Sequence, residues 1–227
     1  MISSANIYHM EMVGNGGSQP NSIFELFITG KTTTYKANDY VFREGDLCKK
    51  LMIVKRGRIK VGYYDPNGNE CITHFCGEGD LLGQLALIGR EHHVNFAMVV
   101  ESGTEIMKIG LDKARRSIQG NPVISDQVNE HIIKHISRLN KRIEILFLSS
   151  IKSRVLEFIK DMAINYGEKY GNGVRITHGL TQSDIAAAIG SSRKTTSLIL
   201  NELERNGIIR FDRKHIFIPD YQQLMND

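Results

Sequence analysis

The feature that most constrains the fold is a long apolar seam in the middle of the chain. It follows Asn121-Pro122, a pair that favours a helix start because proline suits the first helical position. The seam consists of Ile132, Ile136, Leu139, Ile143 and Leu146, at alternating intervals of four and three. This spacing marks one face of a coiled-coil helix. A helix of about 40 Å is longer than a small domain needs, so we expect it to pair with a second copy. Packing on the chain's own strands is the alternative.

The region before the seam is rich in short β runs. From Thr32 to about Ile109, runs of β-branched and aromatic residues alternate with turns such as Asp65-Pro66-Asn67-Gly68. Many short strands separated by turn signals predict a small antiparallel barrel or roll. Ahead of this region, residues 1–20 are rich in Ser, Asn and Gly, and we expect them to form a flexible tail.

The region after the seam contains two short helices joined by a tight turn. Thr181 is placed to cap the first helix, and Ser191 or Ser192 to cap the second. Gly190 can adopt the positive φ that a short turn between helices requires. The pattern predicts a helix-turn-helix, followed by a hairpin wing around Asp212-Arg213-Lys214. An ordinary helical hairpin with a solvated basic face is the alternative.

The start of the second helix carries groups suited to DNA. Arg193 and Lys194 bring two positive charges and no acidic neighbour. Arginine can donate two hydrogen bonds to one guanine in the major groove, and hydroxyl and N–H groups at a helix start suit phosphate oxygens. The predicted DNA-binding residues are Thr181, Ser183, Ser191, Ser192, Arg193, Lys194, Thr195, Ser197, Arg213 and Lys214.

Composition narrows the remaining classes. The chain is 41% hydrophobic and 24% charged, with a net charge of +4, which is ordinary globular usage. No apolar run reaches the roughly 18 residues that span a bilayer, and the N-terminus does not have the pattern of a secretory signal. Three cysteines, an odd number, favour reduced thiols and a cytoplasmic location. We assign no catalytic residue and no metal ligand, and we expect no enzyme activity.

The order of parts resembles the CRP/FNR family of bacterial transcription regulators, which includes the catabolite activator protein. The resemblance runs from about Phe24 to Pro219 and is strongest from Ile185 to Ser197, then at Gly57 and from Gly79 to Leu87. It implies an α+β fold whose first part is a β-roll (jelly roll) of the cyclic-nucleotide-binding type. The implied parts are the tail at 1–20, the roll at 21–120, a dimerisation helix at 121–149 and a winged helix-turn-helix at 150–227. It also implies a homodimer on near-palindromic double-stranded DNA, with RNA polymerase as a candidate partner.

The resemblance also points to an effector pocket in the roll. Family members that bind cyclic AMP carry a Gly-Glu-Leu segment, whose glutamate accepts from the ribose, and then an Arg-Ser or Arg-Thr pair, whose arginine binds the cyclic phosphate. The matching residues here are Gly83-Gln84-Leu85 and Val94-Asn95. Because valine cannot neutralise a phosphate, we expect cyclic AMP not to bind. The pocket candidates are Gly83, Gln84, Leu85, Arg90, Val94, Asn95, Phe96 and Asn140.

Two other sensing chemistries of the family lack their residues. Residues 1–47 contain no cysteine that could hold an iron–sulfur cluster. Gly83 and Leu85 occupy the positions that correspond to the haem ligands of the carbon-monoxide sensor. We therefore expect no cofactor.

Three effector hypotheses stay open. The pocket holds a less anionic ligand near Gln84, Asn95, Phe96 and Asn140. Alternatively, Phe96 and Met98 fill it and the regulator needs no effector. In the third hypothesis, Arg90 binds the phosphate in place of the usual arginine, and the chain is a cyclic-nucleotide-responsive regulator. His92 and His93 are further candidates for this site, although we interpret them as surface loop residues.

A module that binds a ligand or a protein, without DNA specificity, is the main alternative function. A flat response of DNA binding to salt would favour that alternative. If an effector exists, we expect it to change how the winged domains are held at Leu148–Ser150. The reason is that the roll and the DNA-binding domain are expected to share only the long helix.

Overall fold

The N-terminal half is an antiparallel β-roll. The computed structural model describes residues 23–148, 150–212 and 214–226. The roll strands are β1 (Lys31–Tyr35), β2 (Tyr40–Phe42), β3 (Lys50–Arg56), β4 (Ile59–Tyr64), β5 (Glu70–Cys76), β6 (Leu81–Leu82), β7 (Phe96–Val99) and β8 (Thr104–Gly110). One sheet has the order β1-β8-β3-β6 and the other β2-β7-β4-β5. The predicted roll is confirmed, whereas the tail expected at residues 1–20 lies outside the described residues.

The turn between β4 and β5 forms as its sequence predicts. One carboxylate oxygen of Asp65 accepts hydrogen bonds from the backbone N–H groups of Asn67 and Asn69, both at 2.8 Å. Gly68 has a φ of +82°, which glycine adopts without a Cβ clash. The turn sets the antiparallel register in which Tyr64 faces Glu70.

Two helices follow the roll: α1 (Leu111–Gly120) and the long helix α2 (Pro122–Phe147). The side chain of Asn121 caps α2 by accepting from the backbone N–H groups of Val123 and Ile124. This confirms the start predicted from Asn121-Pro122. No helix in the described ranges is long and apolar enough to cross a membrane.

The seam of α2 does not pack fully on the chain's own roll. Ile124, Val128 and Ile145 are the buried residues of α2, whereas the seam residues Ile136 and Ile143 are 51% and 52% exposed. The other seam residues are half-buried (Ile132, Leu139) or 40% exposed (Leu146). Much of the seam is therefore available to a second chain.

The C-terminal part is a winged helix-turn-helix. Its elements are α3 (Ile151–Tyr166), β9 (Gly167–Tyr170), β10 (Gly173–Thr177), α4 (Gln182–Ile189), α5 (Arg193–Arg205), β11 (Arg210–Phe211), β12 (His215–Ile218) and α6 (Tyr221–Asn226). Their strands pair in the order β11-β12-β10-β9. The wing hairpin predicted from the sequence thus forms part of a larger sheet.

The first wing strand is shorter than its apolar pattern suggests. Alternation begins at Ile208, but β11 begins at Arg210. Ile208 N–H instead donates to the carbonyl of Leu203 at 3.0 Å, and Ile209 is fully buried in the domain core. Ile208 belongs to the turn that ends α5, and Ile209 packs in the domain core. Neither residue therefore belongs to β11.

The two halves of the molecule touch directly, and the expectation that they share only the long helix is wrong. The rings of Phe75 on β5 and Phe158 on α3 meet edge to face at 6.1 Å. The hydroxyl of Tyr166 donates to the carbonyl of Phe75 at 3.0 Å. Ile72 and Phe75 belong to the same buried cluster as the core of the helix-turn-helix. The roll face that carries them buries its apolar area against α3 and α4.

Candidate DNA-binding surface and effector pocket

The helix-turn-helix begins with a complete capping box. The hydroxyl oxygen of Thr181 accepts from the backbone N–H of Asp184, and the Asp184 carboxylate accepts from the backbone N–H of Thr181 at 2.8 Å. Such boxes satisfy two N–H groups that a helix start leaves without partners. The exposed Thr181 therefore caps α4, as predicted from its position, and Ser183 is exposed two residues beyond the cap.

The turn between the two helices depends on one glycine. Gly190 ends α4 with a φ of +64°, a left-handed conformation that costs other residues about 1–2 kcal/mol. Ser192 then caps α5 by accepting from the backbone N–H of Thr195 at 3.1 Å. Of the two serines proposed as the cap, the structure uses Ser192, while Ser191 is half-buried in the turn.

The start of α5 has one buried side and one exposed side. Thr196, Leu200 and Leu203 are buried, whereas Arg193 and Lys194 are exposed. Within the described part of the chain, the first turn holds no acidic residue. Ser192 and Thr195 are exposed beside the arginine and Ser197 is half-buried. The predicted basic and hydroxyl groups therefore lie together at the free end of one helix.

The wing tip is ordered by an aspartate. Asp212 accepts hydrogen bonds from the backbone N–H groups of Lys214 at 2.6 Å and His215 at 2.7 Å. These bonds lower the pKa of the Asp212 carboxyl. Lys214 is exposed at the tip, while Arg213, the other residue predicted there, lies outside the described residues.

A second candidate site lies between the roll and α2. Gly83, with a φ of +77°, begins a 3-10 turn from Gln84 to Ile88. A Cβ at Gly83 would lie 2.7 Å from the carbonyl of Lys50, so only glycine fits there. The turn forms one wall of a small pocket whose other walls come from strands of the roll and from α2.

The structure divides the predicted effector residues into two groups. The pocket is lined by Gly83, Gln84, Leu85, Val94 and Asn95. The other three candidates, Arg90, Phe96 and Asn140, lie outside its lining.

Each of those three residues lies elsewhere in the structure. Phe96 is 1% exposed and packs against Tyr64, with ring centroids 4.9 Å apart. Arg90 lies exposed in the loop, and Asn140 is exposed on α2. The hypothesis that Phe96 and Met98 fill the pocket is not supported, because neither residue is among those that line it.

Sequence reasoning missed two of the four imidazoles among the described residues that line this pocket. His74 on β5 and His135 on α2 both line it, with ring centroids 4.6 Å apart. Burial lowers the pKa of His74 to about 3 and also lowers that of His135, so both rings are neutral at pH 7. The available signal was on α2: His131 and His135 are four residues apart and therefore on one helix face.

The interpretation of His93 as a surface residue is wrong. Its ring is buried and stacks on Phe42 at 3.6 Å. The sulfur of Cys48, a free thiol, lies 3.4 Å from both ring nitrogens. Burial lowers the pKa of His93 and raises that of Cys48, so this pair is uncharged at neutral pH. His92, by contrast, is exposed as expected, although it also lines the pocket.

The pocket is thus polar but lacks positive charge. No arginine or lysine is among the described residues that line it. Within residues 23–148, 150–212 and 214–226, no group of three His, Cys, Asp or Glu side chains is arranged to hold a metal ion.

Comparison with known proteins places both sites in one family. The model of the cyclic nucleotide-binding domain matches residues 32–121, and that of the Crp-like helix-turn-helix domain matches residues 153–226. The chain is 29% identical over 210 residues, 92% of each chain, to a CRP-like cAMP-activated global transcriptional regulator of Mycobacterium tuberculosis. This chain belongs to the CRP/FNR family of transcription regulators.

Solved structures agree with this assignment at the level of the fold. FixK2 from Bradyrhizobium japonicum has a TM-score of 0.76 and 17% identity, covering 87% of this chain and 96% of its own. A CRP/FNR-family transcriptional regulator from Thermus thermophilus has a TM-score of 0.67 and 22% identity, covering 86% and 97%. The CRP/FNR family consists of regulators and not of enzymes, which agrees with the expectation that this chain has no catalytic role.

In this CRP/FNR regulator, the DNA-binding domain is also tied to the roll by a buried ion pair that the sequence did not indicate. Lys60 on β4 donates to Asp184 at 2.8 Å and to Glu70 at 2.5 Å. Burial opposes the ionisation of Asp184, but hydrogen bonds from Lys60 and Thr181 hold its pKa below the usual value. Asp184, the second member of the capping box of α4, therefore also anchors α4 on the roll.

A second ion pair fixes α2 to the roll. Arg138 donates to the buried carboxylate of Asp80 at 2.8 Å, and Asp80 accepts from the backbone N–H of Gly77 at 2.9 Å. The Gly79-Asp80 turn noted in the sequence thus positions the helix that forms one wall of the pocket.

Proposed function

We propose that this chain is a homodimeric regulator that binds near-palindromic double-stranded DNA with its two α5 helices. The observation that carries this proposal is the start of α5, where Arg193 and Lys194 are exposed beside hydroxyl groups on a helix of the DNA-binding domain. The N-terminal residues of such a helix contact base edges in the major groove. Thr181, Ser183 and Lys214 are proposed to contact the flanking phosphates.

The seam of α2 supports the dimer. Its exposed members, Ile136, Ile143 and Leu146, lie on a helix of 26 residues. Phe147, at the end of the helix, is 84% exposed. Apolar residues repeated at this spacing bury themselves by pairing with a second helix. A two-fold axis along α2 would present two α5 helices to half-sites about 34 Å apart.

The division of labour along the chain is part of the proposal. Residues 21–120 act as the sensor, 121–149 as the dimerisation helix and 150–227 as the DNA-binding domain. The regulator works on chromosomal DNA in the cytoplasm and acts by contacting RNA polymerase or by blocking its access. Direct packing of α3 and α4 on the roll supplies a route by which the sensor influences the DNA-binding domain.

We infer that the effector, if one exists, is less anionic than cyclic AMP. The pocket lining holds the neutral rings of His74 and His135, and Val94 occupies the position expected for the phosphate-binding arginine. A buried phosphate requires such a partner. The second candidate is a cyclic-nucleotide-responsive regulator with an altered grip through Arg90. It is supported by the cAMP-activated relative and requires that the exposed loop move into the pocket.

Selection of duplex oligonucleotides from a random pool tests the main proposal. We expect enrichment of sequences with two inverted half-sites, and a dimer in analytical ultracentrifugation. DNA affinity should fall steeply with salt, because phosphate contacts release counterions. A monomer at high concentration, or salt-independent binding without preferred sequence, would favour the protein-interaction module instead.

Calorimetric titration tests the effector proposal separately. We expect no heat of binding for cyclic AMP or cyclic GMP at concentrations that saturate cAMP-activated regulators. Micromolar binding that Arg90→Ala abolishes would establish the second candidate.

A further inference from the structure

A cavity separate from the effector pocket lies where the roll meets the DNA-binding domain. It is bounded by β5, α2, α3 and the end of α4, and has a volume of about 40 Å³. Its apolar lining includes Ile145, Phe158 and Met162, and its polar lining includes Arg138 and Arg142. The ring of His74 contributes to both cavities and so stands between them.

Arg142 spans the two halves of the molecule without using all of its donors. Its Nε donates to the carbonyl of Ile72 in the roll at 3.2 Å, and its Nη2 donates to the carbonyl of Ala187 in α4 at 3.3 Å. Its Nη1 is buried and makes no hydrogen bond with the described part of the chain. The Nε of Arg138 is buried and unpartnered in the same way. Buried donors left without partners are costly.

The charge of Arg142 is also poorly balanced. No carboxylate of the described residues lies within ion-pair distance of it, and burial lowers its pKa to about 10. The end of α4 supplies only about half a negative charge, and it is shared with Arg154, which donates to the carbonyl of Ile189 at 3.4 Å. The acidic residue in the cavity lining, Asp161, is bonded to Asn165 at 3.0 Å.

We propose that this cavity binds a small aliphatic monocarboxylate. Its carboxylate accepts hydrogen bonds from Nη1 of Arg142 and Nε of Arg138, and its short chain lies against Ile145, Phe158 and Met162. A single negative charge matches Arg142, because the other arginine among the described residues of the cavity lining, Arg138, is already paired with Asp80. The small volume and the apolar lining exclude a nucleotide.

Titration of the full-length chain with sodium propionate tests this site. We expect saturable binding with a dissociation constant on the order of 1 mM and a rise in melting temperature. Propionamide, which has nearly the same shape without the charge, and sodium chloride at equal ionic strength should produce neither effect. Equal effects of propionate and chloride would overturn the proposal, because they would reflect general screening of charge.

Two variants distinguish binding at Arg142 from a general effect of removing an arginine near the end of α4. Arg142→Gln should weaken propionate binding by about tenfold or more. Arg154→Gln is the matched control, because it removes an arginine from the same end of α4 but not from the cavity, and it should leave propionate binding unchanged. Equal losses in both variants would overturn the proposal.

A measurement on the unaltered protein guards against misfolding of the variants. With methyl-labelled methionine, the resonance of Met162 should shift as propionate saturates, and that of Met52 in the core of the roll should not. An unchanged Met162 resonance at saturation would place propionate elsewhere and overturn the proposal. These measurements contain no DNA, so their outcome is independent of the proposed function.

Discussion

Charged side chains of this regulator occupy two contrasting environments. At the start of α5, Arg193 and Lys194 are exposed and make no ion pair within the described part of the chain. Between the roll and α4, Lys60 and Asp184 are buried and pair with each other. Exposed cations remain available to a partner, whereas a buried pair holds two parts of the chain together. Substitutions in the first set should change binding, and those in the second should change stability.

The largest expected effect is that of Asp184→Ala. The substitution leaves Lys60 buried with only Glu70 and removes the capping box of α4, so we expect a loss of about 3–5 kcal/mol in the free energy of unfolding. Urea denaturation measures this loss. Asp220→Ala is the matched control, because Asp220 accepts from the backbone N–H of Gln223 at an exposed helix start. It should cost about 1 kcal/mol, and equal losses in both variants would show that the buried pair adds nothing.

Acid should destabilise the fold through the buried ring of His74. His74 has a pKa of about 3 in the folded protein and an ordinary value of 6.5 when exposed. The unfolded chain therefore binds a proton that the folded chain rejects, so stability is full above pH 6.5 and falls as the pH drops towards 3. At pH 5 the loss is about 2 kcal/mol. His74→Gln should remove this part of the pH dependence, and His92→Gln, at an exposed site, should retain it.

Arg193→Ala should affect the exposed set alone. We expect specific DNA binding to weaken by about 1–3 kcal/mol, with relaxed preference at one base position and little change in melting temperature. Competition binding against substituted operators measures both effects. Arg205→Ala, in the last turn of the same helix, should leave base preference unchanged. Uniform weakening across all sequences would make Arg193 a phosphate contact.

The smallest effect is expected at the cap of α5. Ser192→Ala removes the hydroxyl that accepts from the Thr195 N–H, at a cost of about 1 kcal/mol in unfolding free energy. Ser191→Ala, in the preceding turn, is the control and should be close to neutral. A loss at Ser191 equal to that at Ser192 would contradict the assignment of the cap.

The local parts of the fold could be predicted residue by residue. Thr181, Gly190 and Ser192 each act within a few positions of their partners, and the caps and turn they predict are present. The start of α2 at Asn121 follows the same logic. Caps and turns are formed by neighbouring residues, so their chemistry is visible in a short stretch of sequence.

The site in the roll was predicted only in part. The segment Gly83-Gln84-Leu85 lies in the pocket lining as expected, but Arg90 and Asn140 lie outside that lining and His93 is buried. Which side chains meet in that pocket depends on how strands and helix are packed, and short stretches of sequence do not specify this.

The sequence by itself determined the kinds of elements, their order, and the basic start of α5. Only the tertiary structure decided that Lys60 meets Asp184, 124 positions away, and that His74 meets His135. It also decided that the roll lies directly against the DNA-binding domain. Periodicity and capping record interactions over a few residues, whereas contacts between distant residues arise when apolar faces are buried together and the polar groups carried with them must find partners.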